Sequence, residues 1–213
     1  MSRYSNDIAL KNWNSGYAVV KSEKPPGDDW IQNHIRRIRL SRHPILDLGC
    51  GAGGNALALK EKGHIPVCGD YAIEALRTIR SKAKEIPVVL FDMREGLPFK
   101  KGYFNIIMAD LTLHYFDTAT TFRILDAIRD ILAENGTLLC RVNSIKDKNH
   151  GAGIGDEIEH HYYSDKGRLK RFFDYDDVQT YFNNLHIESC GEYSTFKYGP
   201  EKKIWEIICK KII

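Results

Sequence analysis

The chain has 213 residues, of which 43% are hydrophobic, so it is long enough to bury a substantial core in a single domain. Charged residues make up 28% and the formal net charge is only +3, which gives no strong electrostatic case for a nucleic acid or an anionic membrane as partner. No stretch approaches the roughly 18 consecutive apolar residues of a transmembrane helix, so no membrane association is expected.

The N-terminus and the cysteines both favour a cytoplasmic location. Residues 1–7 lack the apolar core of a secretory signal peptide. The five cysteines lie far apart in the sequence, and none forms a Cys-x-x-Cys pair or a cluster with histidine. This spacing predicts neither a disulfide framework nor a zinc site.

Residues 1–42 are expected to form a lid segment and a helix. Trp13 and Tyr17 stand four positions apart among polar residues, ahead of a Lys-Pro-Pro-Gly sequence at 24–27 that cannot continue a helix. Residues 30–40 then carry apolar side chains at helical spacing, which predicts an amphipathic helix.

Strands and helices alternate through residues 43–143. Strands are predicted at 44–48, 65–70, 86–92, 103–110 and 137–142, and helices at 55–60, 73–84 and 118–133. Parallel neighbours need a crossover connection, and nearly continuous apolar strands suit a sheet that is covered on both faces. The pattern therefore predicts an α/β fold with a mostly parallel sheet and helices on both faces.

The C-terminal part changes character. Residues 144–173 are polar and rich in glycine, which predicts a long loop or irregular insert, with a role as a lid or in contacting an acceptor. A short helix is predicted at 174–184, and two β-like runs, 187–196 and 203–213, are joined by a hairpin-like connection. An antiparallel pair would complete a seven-stranded sheet within one domain, residues 1–213.

A glycine turn follows the first predicted strand. Gly49, Gly51 and Gly54 satisfy the G-x-G-x-x-G spacing of dinucleotide-binding proteins. Asp47, however, lies two residues before the first glycine, close to where a negatively charged pyrophosphate would bind. Further acids, Asp70, Asp92 and Asp110, end the next strands, at the sheet edge where ligands bind in such folds. These carboxylates favour a ligand with hydroxyl groups, amines or positive charge over a phosphate.

The sequence Asp47-Leu48-Gly49-Cys50-Gly51-Ala52-Gly53 resembles motif I of the class I S-adenosylmethionine-dependent methyltransferases. The resemblance is good over residues 40–143. Within the family, the chain resembles the small-molecule methyltransferases that include the tellurite-resistance and ubiquinone-biosynthesis types. It implies a Rossmann-like methyltransferase fold, S-adenosyl-L-methionine as cofactor and a small molecule as methyl acceptor.

The resemblance also implies which residues surround the methionine part of the cofactor. Asp47 would attract its ammonium group, while Leu48, Gly49, Cys50 and Gly51 would border the methionine part through their backbone. The segment after the fourth strand, Asp110-Leu111, would run beneath the methionine part towards the acceptor.

The adenosine part would be held by the ends of the second and third strands. The resemblance assigns Asp70 to the ribose hydroxyls, Tyr71 to a position beside the adenosine, and Asp92 and Met93 to the adenine. Trp13 and Tyr17 would close over the cofactor. Asp70 and Asp92 could instead be simple strand-end residues, because aspartate is common in turns, and an aromatic pair four residues apart is also a packing pair on a helix.

His114 is the candidate general base, with Tyr115 beside it, because histidine titrates near neutrality and both follow the fourth strand. A packing role for His114 is the alternative. No metal site is predicted in the insert, although it contains several potential ligands, because adjacent histidines on an extended or helical backbone point apart. Those residues are His150, Glu157, Glu159, His160, His161, Tyr162 and Tyr163.

Two other functions stay open from the sequence. The G-x-G-x-x-G spacing keeps an NAD(P)-dependent oxidoreductase as an alternative, and a non-enzymatic cofactor-binding module on the same fold is another. Nucleic acid is not expected as acceptor, because Leu111-Thr112-Leu113-His114 stands where base-modifying relatives of the family carry an Asn-Pro-Pro-Tyr type motif. The sequence sets neither the acceptor atom nor the oligomeric state.

Overall fold

The computed structural model describes residues 10–17, 30–41, 44–197 and 199–212. In this part of the chain the helices are residues 10–17 (α1), Trp30–Arg39 (α2), Gly54–Glu61 (α3), Ile73–Lys82 (α4), Thr118–Ile131 (α5) and Tyr175–Tyr181 (α6). Short 3-10 turns occupy Met93–Glu95, Leu113–Tyr115 and Lys148–His150. The strands are Ile45–Leu48 (β1), Val67–Asp70 (β2), Val88–Leu90 (β3), Phe104–Asp110 (β4), Leu132–Asn143 (β5), Asp156–Glu159 (β6), Tyr162–Asp165 (β7), Arg168–Arg171 (β8), His186–Thr195 (β9) and Lys202–Lys210 (β10).

Seven of these strands form one sheet in the order β3-β2-β1-β4-β5-β10-β9. The first five are parallel, and β10 pairs antiparallel with both β5 and β9. The predicted seven-stranded sheet with a C-terminal antiparallel pair is therefore confirmed. The strand order reverses at β1, which lies between β2 and β4, so a crevice is expected at the carboxyl end of β1.

Alternate residues of β4 show how both faces of the sheet are covered. Ile106 and Met108 pack in a cluster with Trp30 and Ile38 of α2, whereas Ile107 and Ala109 pack in a second cluster with apolar residues of α5 and α6. Side chains alternate across a strand, so an unbroken apolar run can supply both cores. Among the described helices, none is long and apolar enough to cross a membrane.

Helix α5 begins where the sequence predicts and ends two residues earlier. The side chain of Asp117 caps it by accepting a hydrogen bond from the backbone N–H of Thr120 at 2.7 Å. After Ile131 the chain makes an irregular turn, with Asn135 at φ 60°, and regular pairing between β4 and β5 starts at Thr137.

The prediction of an irregular insert over residues 144–173 is wrong, because β6, β7 and β8 form a separate three-stranded antiparallel sheet. Arg171 anchors this small sheet and is fully buried. Its guanidinium lies over the rings of Tyr162 at 4.7 Å and Tyr181 at 5.1 Å. Arg171 also donates to Glu159 Oε2 at 2.5 Å and to the carbonyl oxygen of His160 at 2.7 Å.

These contacts explain why the small sheet is not visible as a sequence pattern. The strands are held by a buried cation, stacked aromatic rings and an ion pair, rather than by an alternation of apolar and polar side chains. The glycines that predict a loop lie before β6 and in the β7–β8 turn, whereas most of the charged residues lie in the strands themselves.

Replacing Arg171 by methionine should lower the free energy of unfolding by about 1 to 3 kcal/mol, because Thr118, Glu159 and the His160 carbonyl would lose a charged donor. Urea denaturation of the purified chain measures this loss. The control is Arg168→Met in the same strand, where the side chain is 76% exposed. Its effect should stay within about 0.5 kcal/mol, and equal losses in the two variants would contradict the anchoring role.

Candidate functional site

A cavity of about 520 Å³ lies at the carboxyl ends of β1, β2 and β4. Its walls come from three parts of the molecule: the strand ends, helix α1, and the turn between β7 and β8. Residues that the sequence predicts for the site form part of this wall, namely Trp13, Tyr17, Gly49, Asp70, Tyr71, Asp92, Met93, Leu111 and Tyr115. The topology therefore brings together the separate predictions made from the N-terminus, the strand ends and the segment after β4.

The glycine turn needs glycine at two positions. Gly49 and Gly51 have φ values of 68° and 52°, a region that side chains with a Cβ rarely adopt. A Cβ on Gly49 would come within 2.2 Å of Thr112 Oγ1, and one on Gly51 within 2.7 Å of the Tyr17 hydroxyl. The turn thus lets the backbone pass close to the segment after β4 and to helix α1.

Asp70 joins the glycine turn to the start of α4. Its Oδ2 accepts a hydrogen bond from the N–H of Gly51 at 2.9 Å, and its Oδ1 accepts one from the N–H of Ala72 at 2.9 Å. Burial raises the pKa of Asp70 above its usual value, and the backbone donors oppose that rise. Each oxygen has a second lone pair, so the carboxylate can also accept hydrogen bonds from a ligand in the cavity.

Arg94 forms an ion pair with Asp92, the next acid along the cavity wall. Arg94 is not among the site residues predicted from the sequence. Its Nε donates to both oxygens of Asp92, at 2.8 Å and 2.9 Å, and its guanidinium lies 5.7 Å from the centre of the Tyr71 ring. The hydrogen bonds that Arg94 donates to Asp92 raise the pKa of Arg94, while burial raises the pKa of Tyr71 to about 12. Asp92 is therefore already ion-paired, which competes with the adenine contact that the resemblance implies.

Asp110 lies outside the described lining of the cavity and has a structural ion pair. Arg141 donates to its two oxygens through Nε at 2.7 Å and Nη2 at 2.8 Å, and the guanidinium of Arg141 lies 4.4 Å from the Trp30 ring. Burial alone would raise the pKa of Asp110, but the charge and hydrogen bonds of Arg141 lower it below its usual value. Its neighbour Leu111, with φ 53°, does reach the cavity.

Asp47 is the acid whose charge is least compensated. It is almost fully buried, and its Oδ2 has no hydrogen-bond partner within the described part of the chain. Burial, followed by the charges of Asp110 and Asp70, raises its pKa to about 7. Asp47, Leu48, Cys50 and Gly51 lie behind Gly49 and outside the described cavity wall.

Helix α1 forms an aromatic cover over the cavity. Trp13 and Tyr17 are stacked with ring centroids 5.7 Å apart, and Trp13 meets Tyr115 edge-on at 5.2 Å. Asn14 Oδ1 accepts a hydrogen bond at 3.3 Å from the N–H of Glu74, in the first turn of α4. Helix α1 is thus docked on the same helix start that Asp70 contacts.

His114 lies beneath the cavity wall and is almost fully buried. Its Nδ1 has no hydrogen-bond partner among the described residues. Burial, and then the charges of Lys170 and Lys202, lower its pKa well below the usual value, so the imidazole is neutral at physiological pH. Tyr115 lines the cavity in its place, and burial raises the pKa of its hydroxyl. A catalytic role for either residue stays a prediction.

Sequence reasoning missed the remaining residues of the cavity wall. The residues that line the cavity without having been predicted are Asn12, Gly16, Arg94, Thr112, Phe116, Asp117, Thr120, Gly167, Arg168, Leu169 and Lys170. Several of these residues are sequence neighbours of predicted site residues, such as Thr112 beside Leu111 and Phe116 beside Tyr115, so their position in the sequence could have indicated them. Residues 167–170 lie in the insert that was predicted to act as a lid or to contact an acceptor, but none of them was predicted individually, because they reach the cavity only through the small sheet.

The reason given against a metal site in the insert is also wrong. The rings of His160 and His161 are not turned apart, since their centroids lie 3.8 Å apart at an interplanar angle of 31°. His161 has a φ of 55°, which is neither the extended nor the helical backbone on which that reasoning rests.

Comparison with known proteins identifies the domain. Residues 45–136 match the family model of a methyltransferase domain. A solved S-adenosylmethionine-dependent methyltransferase of Methanosarcina mazei superposes with a TM-score of 0.71 at 18% identity, over 84% of this chain and 97% of that one. This likeness shows the fold.

Relatives in sequence differ in activity. A Saccharomyces cerevisiae 18S rRNA (guanine-N7) methyltransferase is 33% identical over 36% of this chain and 28% of its own length. A human mitochondrial arginine hydroxylase is 31% identical over 61% of this chain and 38% of its own length. The chain thus spans well under half of either relative. Residues 45–136 therefore match a methyltransferase domain, and the chain has the fold of the solved S-adenosylmethionine-dependent methyltransferase.

Proposed function

We propose that the chain transfers a methyl group from S-adenosylmethionine to a small-molecule acceptor held in the cavity described above. One observation carries the proposal: the cavity joins Gly49 and Asp70 on one side to a wall formed by the aromatic residues of α1 and by residues 167–170 on the other. Its volume of about 520 Å³ lies in the range of small-molecule sites, roughly 300 to 1,000 Å³.

The chemistry of the site fits the cofactor. S-adenosylmethionine supplies an activated methyl group on a sulfonium and carries a second positive charge on its ammonium group. The unpartnered Oδ2 of Asp47, close to the charges of Asp70 and Asp110, suits a cationic ligand. Asp70 would hold the ribose hydroxyls, while Tyr71 and Met93 would border the adenosine. These roles follow the family resemblance, and the positions of Asp70, Tyr71 and Met93 on the cavity wall support them.

The protein's contribution to the transfer is alignment and the exclusion of water. Displacement at an already activated methyl carbon needs the acceptor atom in line, and such positioning can contribute roughly 7 to 11 kcal/mol. Trp13, Tyr17 and Tyr115 would exclude water from one side, and Phe116 with the turn at 167–170 would confine the acceptor on the other.

A small acceptor is favoured over RNA by the enclosure of the cavity. Helix α1 and the β7–β8 turn both contribute to its wall, which leaves a pocket rather than a groove along the described surface. Because one relative methylates guanine in 18S rRNA, RNA is the competing acceptor to be tested.

Asp70→Ala should weaken S-adenosylmethionine binding by about 1 to 3 kcal/mol, since the ribose hydroxyls would lose a charged partner and the glycine turn would lose its anchor. Isothermal titration calorimetry measures the affinity, and circular dichroism checks that the fold is kept. Asp126→Ala, which removes an exposed carboxylate from the outer face of α5, is the matched control. Unchanged affinity in a folded Asp70→Ala chain would refute the role.

Asp47→Asn should stabilise the cofactor-free chain at pH 8 and lose that advantage as the pH falls towards 4. The folded pKa of about 7 lies above the unfolded value of about 3.9, so the folded state binds the proton more tightly. Ionisation of Asp47 therefore lowers the stability of the folded chain. This loss is complete above pH 7 and absent below the pKa of the unfolded state.

Melting temperatures of Asp47→Asn and the unmodified chain, measured between pH 4.5 and pH 8, test whether the variant is the more stable of the two at high pH only. The same variant should bind S-adenosylmethionine more weakly at pH 8, because it lacks the negative charge. Asp126→Asn serves as control and should show no such pH trend. A melting-temperature difference that does not depend on pH would show that Asp47 is ionised throughout.

Methyl transfer should label the low-molecular-weight fraction of a cell extract when the chain is given S-adenosylmethionine with an isotopic methyl group. Asp70→Ala should reduce the label by about 5- to 150-fold at limiting cofactor, the factor that corresponds to a loss of about 1 to 3 kcal/mol in binding. Label recovered in RNA, at a level that Asp70→Ala also reduces, would overturn the small-molecule acceptor. Cofactor binding without labelling of either fraction would favour a non-enzymatic module.

A further inference from the structure

Four metal-ligating side chains meet outside the cavity, where the small sheet contacts helix α6. His160 and His161 lie in the turn between β6 and β7, and Asp174 and Asp177 stand at the N-terminus of α6. One potential ligand atom from each lies within 4.8 Å of all the others. Among the described cavity-lining residues none belongs to this group, so the cluster is separate from the proposed methyl-transfer site.

The backbone presents both histidines on the same side. His161 takes a positive φ of 55°, and its N–H donates to Glu157 Oε1 at 2.7 Å. The carbonyl oxygen of His160 accepts a hydrogen bond from the buried Arg171 at 2.7 Å. These contacts fix the turn and hold the two rings 3.8 Å apart, centroid to centroid, an arrangement that regular backbone does not produce for adjacent residues.

The two carboxylates are fixed by a reciprocal cap on α6. Asp174 Oδ1 accepts a hydrogen bond from the N–H of Asp177 at 2.8 Å, and Asp177 Oδ2 accepts one from the N–H of Asp174 at 3.1 Å. Asp174 Oδ2 takes no part in this cap, and it faces His161 Nδ1 at 3.9 Å. Asp177, which is buried, approaches the same nitrogen at 2.7 Å.

We propose that His160, His161, Asp174 and Asp177 form a Zn²⁺ site. Two imidazoles and two carboxylates match the nitrogen and oxygen ligands of zinc, whereas Mg²⁺ and Ca²⁺ prefer oxygen alone. Ligand atoms around a tetrahedral zinc stand about 3.3 Å apart, and the two distances from His161 Nδ1, 2.7 Å and 3.9 Å, bracket that value. The ion would also neutralise two carboxylates that stand close together.

The site is structural rather than catalytic. All four ligands come from the protein, and the ion would tie the β6–β7 turn to the start of α6. The small sheet also carries the β7–β8 turn that closes the acceptor side of the cavity. Zinc would therefore hold that wall in place without contacting the reacting groups.

Titration of the metal-free chain with ZnCl₂ tests the site. After dialysis against a chelator, native mass spectrometry should find one zinc per chain, and isothermal titration calorimetry should give its affinity. Cys190 is the partly exposed thiol among the cysteines and can bind zinc adventitiously, so all samples carry Cys190→Ser. Zinc should raise the melting temperature of this background, since binding to the folded state alone stabilises it.

Two variants remove a ligand with little damage to the fold. His160→Ala truncates an exposed side chain, and Asp174→Ser keeps an oxygen that can cap α6. Each should weaken zinc binding at least tenfold and abolish the rise in melting temperature, whereas His186→Ala, an exposed histidine on β9, should change neither. Co²⁺ in place of zinc should give the visible absorption of tetrahedral cobalt.

No stoichiometric zinc on the background chain would overturn the site and leave His161 and Asp177 as a simple hydrogen-bonded pair. Zinc binding that survives unchanged in both His160→Ala and Asp174→Ser would also overturn it, because the ion would then lie elsewhere. Neither readout depends on methyl transfer, so the result is independent of the proposed function.

Discussion

The carboxylate of Asp70 is the constraint on which the cavity depends. Its two oxygens accept hydrogen bonds from the N–H groups of Gly51 and Ala72, which belong to two different loops at the sheet edge. The anchored turn keeps Gly49 and Gly51 in the left-handed conformations that let Thr112 and Tyr17 approach. The group that shapes the site is thus the one that the family resemblance assigns to the ribose, so in the proposed function one side chain would both shape the site and bind the cofactor.

Four acids end the parallel strands, and their surroundings give them different properties. Arg141 neutralises Asp110 and Arg94 neutralises Asp92, whereas Asp70 accepts hydrogen bonds from backbone N–H groups. Asp47 has none of these partners on Oδ2, so its pKa is raised to about 7. The least compensated of the four acids therefore lies at the start of the glycine turn. Such an arrangement costs stability in the free protein and attracts a cationic ligand.

The two covers of the cavity are attached in the same physical way. Helix α1 reaches the first turn of α4 through Asn14, and the small sheet reaches that of α5 through Glu159, which accepts from the N–H of Thr118 at 2.9 Å. The first N–H groups of a helix have no partner within it, so distant side chains can satisfy them. Polar contacts of this kind let a cover dock on the core without a large apolar interface.

The local sequence pattern was enough to determine the parallel sheet, the helices on both faces, the C-terminal antiparallel pair and the likeness to a methyltransferase domain. Apolar periodicity and the spacing of glycines with Asp47 are properties of neighbouring residues, and they survive in the sequence. The sequence pattern did not determine which of the acids are ion-paired, because Arg94 and Arg141 reach Asp92 and Asp110 only in the folded structure. The small sheet was missed for the same reason, since Arg171 and its aromatic neighbours stabilise it by contacts between separate segments. Only the tertiary structure could decide that His160 and His161 face one another, because a single positive φ at residue 161 reverses what the regular backbone predicts.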